Sequence, residues 1–533
     1  MKSDFLWWRD GVIYQIYPRS FADSNGDGIG DLPGILSKLD YLVELGVDAL
    51  WLSPIYPSPD ADFGYDVADY TAIDPKYGTL EDFDRLVQAA HQRGLRIVMD
   101  LVLNHTSNQH PWFLQSRSSR DDPYHDWYIW RDAMPGRRLP NDWQSVFGGS
   151  AWEWDEAAHQ YYYHMFTRQQ PDLNWRNPAV RKAMLDVFRF WLDRGVDGFR
   201  LDVFNVYFKD DRLRKNPRRL GRRPFDCQVH LYDCDRPEML PLLQEIRALL
   251  DSVPERYAVG ETFLSNTPKA AGYARPGLLH AAFDFSFLEC GWNPAAFLKV
   301  IQAIDSQYND GGWPTYVLGN HDVNRIATRY TRGEDDERLK VLATLLLTQR
   351  GTPFMYQGEE IGMRNVRVPR KEMKDPVGLR YWPIPVGRDG ERSPMQWTGD
   401  EKAGFSRGTP WMRVHPDVTF RNVEALRRQP DSVFHVYRRL LRLRKELPAL
   451  RNGIFLPLTY EPHSLLAYLR KNGDQTLLVA LNFHRKRNRL VLGSELAMSG
   501  WRLAYSTRRT ELPVLHDSVL VLEPYEAIIL EQQ

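Results

Sequence analysis

At 533 residues the chain is too long for one core of ordinary size, which calls for two or three domains. Hydrophobic residues make up 43% and charged residues 26%, the balance of a soluble globular protein rather than a fibrous, disordered or membrane-embedded one. Lys plus Arg equals Asp plus Glu at 69 each, so no overall charge recruits nucleic acid or an anionic membrane surface.

The opening Met-Lys-Ser-Asp-Phe-Leu-Trp-Trp-Arg-Asp holds no apolar run of signal-peptide length, and nothing later is expected to span a bilayer. Cys227, Cys234 and Cys290 form neither a CxxC pair nor an even disulfide set, so free thiols and a cytoplasmic location are expected. Val12–Tyr17 reads as the first strand. The loop after it places oxygen donors Asp23, Asn25, Asp27 and Asp31 at positions 1, 3, 5 and 9 of an EF-hand-like turn, with Gly28 at 6 and the carbonyl of Ile29 at 7. Position 12 is Gly34 rather than Glu, so the full hand is absent. The expectation is a structural Ca2+, with Mg2+ able to substitute.

Three segments then repeat one grammar of amphipathic helix, glycine stop and strand. Lys38–Leu45 ends at Gly46 and Val47–Leu52 follows. Thr79 and Asp82 form a capping-box pattern for a helix to Arg93, then Gly94 and a strand over Leu95–Leu103. Pro178 opens a helix whose apolar residues recur at helical spacing from Val180 to Trp191, and Gly195 precedes a strand over Val196–Leu201. This alternation predicts a parallel sheet with crossover helices. Between His105 and Asn174 the rhythm breaks into a stretch rich in Trp, Tyr, Pro, Gly and Asp, read as a small inserted subdomain (105–173) after the third strand. Strands over Tyr257–Gly260, Ala281–Phe287, Thr315–Leu318 and Thr352–Tyr356 bring the count to eight. The expected fold is therefore a (β/α)8 TIM barrel built from residues 1–104 and 174–455. Leu465–Arg470, Asn472-Gly473 and Thr476–Leu481 read as a hairpin with a type I′ turn, opening a C-terminal antiparallel β-sandwich (456–533).

Four of the strand-like runs end in a carboxylate: Ile97–Asp100 leading into Asn104-His105, Gly198–Asp202, Ala258–Glu261, and Val317 to Asn320-His321-Asp322. Acids at the C-terminal tips of different barrel strands are how this architecture builds an active site. With no hydroxyl or thiol nucleophile in comparable context, they point to acetal chemistry on a sugar. Asp202 is the candidate nucleophile, kept ionised by Arg200 two residues earlier on the same side of the strand. Glu261 is the candidate acid and base, its carboxyl raised by burial. Asp322, beside His321, is a third acid to grip sugar hydroxyls. The 17 Trp, 26 Tyr and 24 Phe suit ring-face packing on sugars, although core packing accounts for most of them.

Taken together these stretches resemble an α-glucosidase of the α-amylase superfamily (glycoside hydrolase family 13), in the oligo-1,6-glucosidase branch. The resemblance covers nearly the whole chain and rests on Asp100-Leu-Val-Leu-Asn104-His105, Gly198-Phe-Arg200-Leu-Asp202, Gly260-Glu261-Thr262, Asn320-His321-Asp322 and Gln170-Pro-Asp-Leu-Asn174, the last a label of that branch. It implies Asp202 as nucleophile, Glu261 as acid/base, Asp322 as transition-state stabiliser, and retention of the α configuration. His105, His321 and Arg200 would line the subsite of the cleaved glucose, Tyr65 would be a stacking platform, and Phe166 and Gln170 would be wall positions from the inserted domain. Asp66 and Arg392 would hold the non-reducing end by its 4-hydroxyl, closing the pocket to terminal attack. Val203, directly after the nucleophile, goes in this branch with α-1,6 preference, which favours isomaltose, panose and short isomaltooligosaccharides.

The same residues serve an α-1,4-preferring enzyme, a transglucosylase or a sucrose isomerase; the Arg-Leu-Asp-Arg-Asp string of sucrose isomerases is missing here. A non-catalytic transporter-associated heavy chain is disfavoured because all three acids are present. The expected partner is a small oligosaccharide, with no nucleic acid and no membrane, in a monomer or homo-oligomer. The basic segment Lys209–Pro237 has no assigned role at this level.

Overall fold

Strict alternation along eight short strands sorts their side chains into two sets. The strands are β1 (Ile13–Ile16), β2 (Ala49–Leu52), β3 (Arg96–Leu101), β4 (Gly198–Leu201), β5 (Tyr257–Gly260), β6 (Ala281–Ala282), β7 (Thr315–Val317) and β8 (Thr352–Tyr356). Tyr14, Ile16, Leu50, Leu52, Ile97, Met99, Phe199 and Leu201 join the large core under the surrounding helices. Ile13, Ala49, Trp51, Val98, Val259, Ala281, Val317 and Phe354 form a separate cluster, the barrel interior. The structure, a computed structural model, describes residues 5–533 apart from 265, 309, 334, 460–462, 494–495, 497–499 and 513–517; the first four residues of the N-terminal stretch lie outside the described residues.

The strands pair in parallel in the order β7-β8-β1-β2-β3-β4-β5-β6, a barrel closed except between β6 and β7. At that seam Thr315 Oγ1 donates to the Ala282 carbonyl at 3.1 Å. The strand expected over Ala281–Phe287 stops at Ala282, because Asp284 Oδ1 accepts from both the amide (2.9 Å) and the hydroxyl (2.6 Å) of Ser286 and turns the chain into a short helix, Ser286–Glu289. Crossover helices begin as their caps dictate. Thr79 and Asp82 make the reciprocal capping box of Leu80–Gln92, and Asn177 caps Pro178–Asp193. Gly46 ends Leu39–Leu45 at φ 100°, a conformation that a Cβ would strain.

The insertion after β3 contributes a three-stranded antiparallel sheet, Trp130–Arg131, Trp152–Asp155 and Gln160–Tyr163. Its aromatic cluster (Trp143, Trp152, Tyr163, Phe166) is continuous with Val203, Val206 and Phe225 from the loop after β4. The C-terminal part is a five-stranded antiparallel sheet facing a two-stranded one. Leu465, Ala467, Leu478 and Ile528 pack between the two sheets, while Leu466, Tyr468, Val479 and Ile529 pack on the barrel's helical layer. In its hairpin Asn472 pairs with Gln475, so the turn residues are Gly473 and Asp474 rather than Asn472-Gly473. Only Gly473 has positive φ (55°), which excludes type I′ and fits a turn with Gly first. The three cysteines are unpaired, and among the described residues no helix is long and apolar enough to cross a membrane.

Candidate active site

Parallel register brings the chemistry together. Asp100 of β3 lies opposite Arg200 of β4, and Arg200 opposite Val259 of β5. All three point inward, and two residues further on Asp202 and Glu261 do the same. The ladder runs past the strand ends to hold them: Asp202 N donates to the Leu101 carbonyl at 3.0 Å, and Glu261 N to the Leu201 carbonyl at 2.8 Å. Gly260 precedes Glu261 because Phe204 packs there; a Cβ would stand 2.4 Å from its ring.

Arg200, 2% exposed, is the hub. Its Nη1 donates to Asp100 Oδ1 at 2.6 Å and to Asp202 Oδ1 at 2.7 Å, and its Nη2 donates to Glu261 Oε2. The guanidinium carbon lies 5.2 Å from the Trp51 ring centroid and 5.7 Å from that of Tyr65. One guanidinium thus serves three buried carboxyls. Burial pushes Asp100 up to about 6 against the pull of Arg200. Burial also pushes Asp202 up; Arg200 opposes it, while Glu261, Asp100 and Asp322 add to it. The sequence suggests that Arg200 keeps Asp202 ionised. In the structure its charge is divided among three acids, so the cluster favours retaining a proton.

On the opposite side two guanidiniums meet one acid. Asp322 Oδ1 accepts from Arg392 Nη2 at 2.6 Å and from Arg388 Nη1 at 3.3 Å. Burial pushes this carboxyl up, but the positive charges of Arg388 and Arg392 outweigh it and hold it far below the ordinary range. His321 is driven down to about 3, chiefly by burial, and is uncharged at neutral pH. Its Nδ1 faces the Gln15 amide nitrogen at 2.7 Å, and its Nε2 faces Tyr65 OH at 2.7 Å. Tyr65 OH in turn donates to Asp100 Oδ2 at 3.1 Å, joining the two sides. Solvent reaches the site at the side chains of Asp322 (34% exposed) and Glu261 (16%). A surface cavity of about 900 Å³ between the helix Val433–Glu446 and the C-terminal sheet holds none of these acids.

Tyr65 stacks on His321, with centroids 5.5 Å apart and planes 3° from parallel. His105 Nε2 lies 2.9 Å from the Tyr65 carbonyl, and burial lowers its ring to about 4. Phe166 leans on His105 with centroids 5.3 Å apart, and Gln170 donates to the same Tyr65 carbonyl at 3.1 Å. Val203 stands directly after the nucleophile candidate at φ 36°, ψ 40°, a left-handed conformation that a β-branched side chain resists. Asp66 does not join Arg392. It is fully buried, with its oxygens accepting from Ser58 Oγ (2.8 Å), Asp62 N (3.0 Å) and Ala61 N (2.9 Å). The acid on the arginine side is Asp62, whose Oδ1 accepts from Arg388 Nη2 at 2.6 Å. Sequence reasoning passed over Asp62 and Arg388. Their one signal is spacing, each four residues before a residue already singled out.

The Asp23–Asp31 loop closes on itself. Asp23 Oδ1 accepts from Gly26 N at 2.6 Å and Oδ2 from Gly28 N at 2.8 Å. Asn25 Oδ1 accepts from Asp27 N at 2.9 Å, Asp27 Oδ1 from Ile29 N at 2.8 Å, and Asp31 Oδ2 from Ser24 N at 3.0 Å. Among the described residues no three Asp, Glu, His or Cys side chains converge as a cation site, so an ion here depends on Asn25 and the Ile29 carbonyl as well.

Residues 15–453 match the model of the alpha amylase catalytic domain. The chain is 45% identical to a probable alpha-glucosidase of Rhizobium meliloti (strain 1021), covering 90% of each chain. It is 41% identical to an oligo-1,6-glucosidase of Parageobacillus thermoglucosidasius, covering 90% of this chain and 91% of that one. The solved structure of an alpha-glucosyl transfer enzyme superposes with a TM-score of 0.93 at 40% identity, over 99% of this chain and 100% of the other. Barrel, acid cluster and these likenesses agree: the chain belongs to the α-amylase family of glycoside hydrolases, family 13.

Proposed function

We propose that the protein is a retaining, exo-acting α-glucosidase that releases α-glucose from the non-reducing end of short α-glucosides, with α-1,6 linkages favoured. The observation that carries this is the convergence of Asp202 and Glu261, from adjacent strand ends, on the single guanidinium of Arg200. A retaining mechanism needs two carboxyls about 5 Å apart across one sugar. Glu261 gives its proton to the glycosidic oxygen while an Asp202 oxygen bonds to C1, and the bond to the leaving sugar breaks. Glu261 then takes a proton from water, whose oxygen attacks C1 and frees Asp202. Asp322, kept ionised, binds hydroxyls of the reacting glucose and stabilises its positive charge. Val203 lies in the apolar cluster with Phe166, directly after the nucleophile, and a branched side chain there supports the α-1,6 preference.

The test is a panel of isomaltose, panose, maltose, sucrose and trehalose with products followed by NMR. Isomaltose should be cleaved fastest, with the α anomer appearing first. Asp202→Asn and Glu261→Gln should each lower kcat/KM about 10⁴-fold without loss of fold. Full turnover in either variant removes that residue from its role. Transfer of glucose to an acceptor sugar is a second reading, favoured by the likeness to the alpha-glucosyl transfer enzyme. Longer products at high sugar concentration would reveal it.

We also propose that the Asp23–Asp31 loop holds a structural Ca2+, supported by its alternating oxygen donors; chelation should lower Tm and added Ca2+ restore it. The free thiols support a cytoplasmic location.

A further inference from the structure

The loop after β4 sends one cation inward. Lys209 is 3% exposed, and its ammonium donates to Asn104 Oδ1 at 2.8 Å and pairs with Asp172 Oδ2. The ammonium also lies 5.4 Å from the Tyr163 ring centroid, so its donors have partners. Asp172, wholly buried, accepts from Met165 N at 2.8 Å through Oδ1 and from Asn104 Nδ2 at 2.8 Å through Oδ2. Three separate parts of the chain therefore meet at this ammonium: the end of β3, the inserted domain and the segment leading out of the nucleophile strand.

The consequence lies at Asn104. A side-chain amide has one acceptor end and one donor end, and only the acceptor end can face an ammonium. With Oδ1 committed to Lys209, Nδ2 must point the other way. There it meets Asp172 Oδ2 and, at 3.1 Å, His105 Nδ1. His105 Nε2 faces both the Gln170 amide nitrogen at 3.1 Å and the Tyr65 carbonyl at 2.9 Å, so it could accept or donate; Nδ1, which faces only the Asn104 donor, carries no proton, and the neutral ring therefore has its hydrogen on Nε2, toward the Tyr65 carbonyl. We infer that Lys209 is a positioning residue: by fixing the amide of Asn104 it sets the Nε2–H tautomer of His105 on the wall of the glucose pocket. The inference rests on the proposed reading of that pocket only for its effect on substrate. The tautomer itself can be observed without one.

The ordinary role of such a lysine is charge compensation for Asp172, and a paired substitution separates the two. Lys209→Met alone leaves a buried carboxylate unpaired and endangers folding. Lys209→Met with Asp172→Asn removes both charges, leaving Asn104 free to turn over. The double variant should fold with a normal Tm, show KM for isomaltose raised about tenfold with kcat changed less than threefold, and show His105 gaining Nδ1–H character in ¹⁵N spectra. A second variant leaves Lys209 in place. Asn104→Asp presents an acceptor to His105 Nδ1 and should move the ring hydrogen to that nitrogen. A double variant with wild-type KM and an unchanged tautomer, or an Asn104→Asp protein whose His105 keeps Nε2–H, overturns the inference. An enzyme inert to every α-glucoside but showing the expected ¹⁵N changes would overturn the proposed function and leave the inference standing.

Discussion

The two walls of the active site share out their positive charge differently. On one wall a single guanidinium, Arg200, serves Asp100, Asp202 and Glu261. On the other, Arg388 and Arg392 both serve Asp322, and Arg388 pairs with Asp62 and Asp375 as well. The first wall cannot neutralise all its carboxyls, so burial raises Asp100 to about 6 and lifts Asp202 as well. The second wall sets two guanidiniums against three carboxyls, and Asp322, which draws on both, stays charged at any working pH. Glycoside cleavage needs this division, since one side must carry a movable proton while the other presents fixed negative charge to an oxocarbenium-like centre.

The comparison breaks most severely at its hub. Arg200→Met strands three buried carboxyls without a cation; kcat/KM should fall at least 10³-fold, and stability by about 3–5 kcal/mol in urea titration, since removing one partner of a buried ion pair is costly. Retention of more than a tenth of activity would show that the three acids do not depend on that charge. Arg388→Met should do less. Asp322 keeps the 2.6 Å bond from Arg392, while Asp62 and Asp375 lose their ion-pair partner. KM for isomaltose should rise about tenfold, with the acid limb of the pH–rate profile unmoved, because Asp322 remains ionised. A shifted acid limb would mean that Arg388, rather than the pair, sets the charge of Asp322.

The first wall was more legible in the sequence than the second. Arg200 and Asp202 share a face because strand side chains alternate, and Glu261 follows the next apolar run. Local patterns sufficed to place all three at strand tips. The second wall is assembled from long loops, and loops have no period. Asp62 and Asp66 sit four residues apart in one turn, and only folding decides that Asp66 spends its oxygens on Ser58, Ala61 and Asp62 while Asp62 reaches Arg388. Lys209 was hidden for a related reason. A lysine at the head of a basic, mostly exposed segment reads as solvated, and only the fold shows that Asp172 and Asn104 enclose it. The shortening of β6 follows the same rule, since Asp284 binding the Ser286 amide is a local competitor that apolar alternation does not register.

The smallest expected effect tests whether burial alone, away from both walls, shifts titration in the same way. His110 caps the helix Pro111–Ser116 by accepting from Trp112 N at 3.1 Å, and burial lowers its ring to about 4. An unfolded histidine takes its proton near 6.5, so between about pH 6.5 and 4 the unfolded chain binds more protons than the folded one. The sign follows directly: the stabilising contribution is complete above 6.5 and is lost as pH falls toward 4. For one such group the loss between pH 7 and pH 5 is about 2 kcal/mol. His110→Asn keeps a cap acceptor but removes the titration. The variant should match the parent near pH 5 or exceed it, fall slightly below it at pH 7, and show a shallower pH dependence of unfolding free energy by about that amount. If the slopes of parent and variant coincide, His110 already carries its proton in the folded protein, and the cap acceptor at Trp112 must then be some other atom.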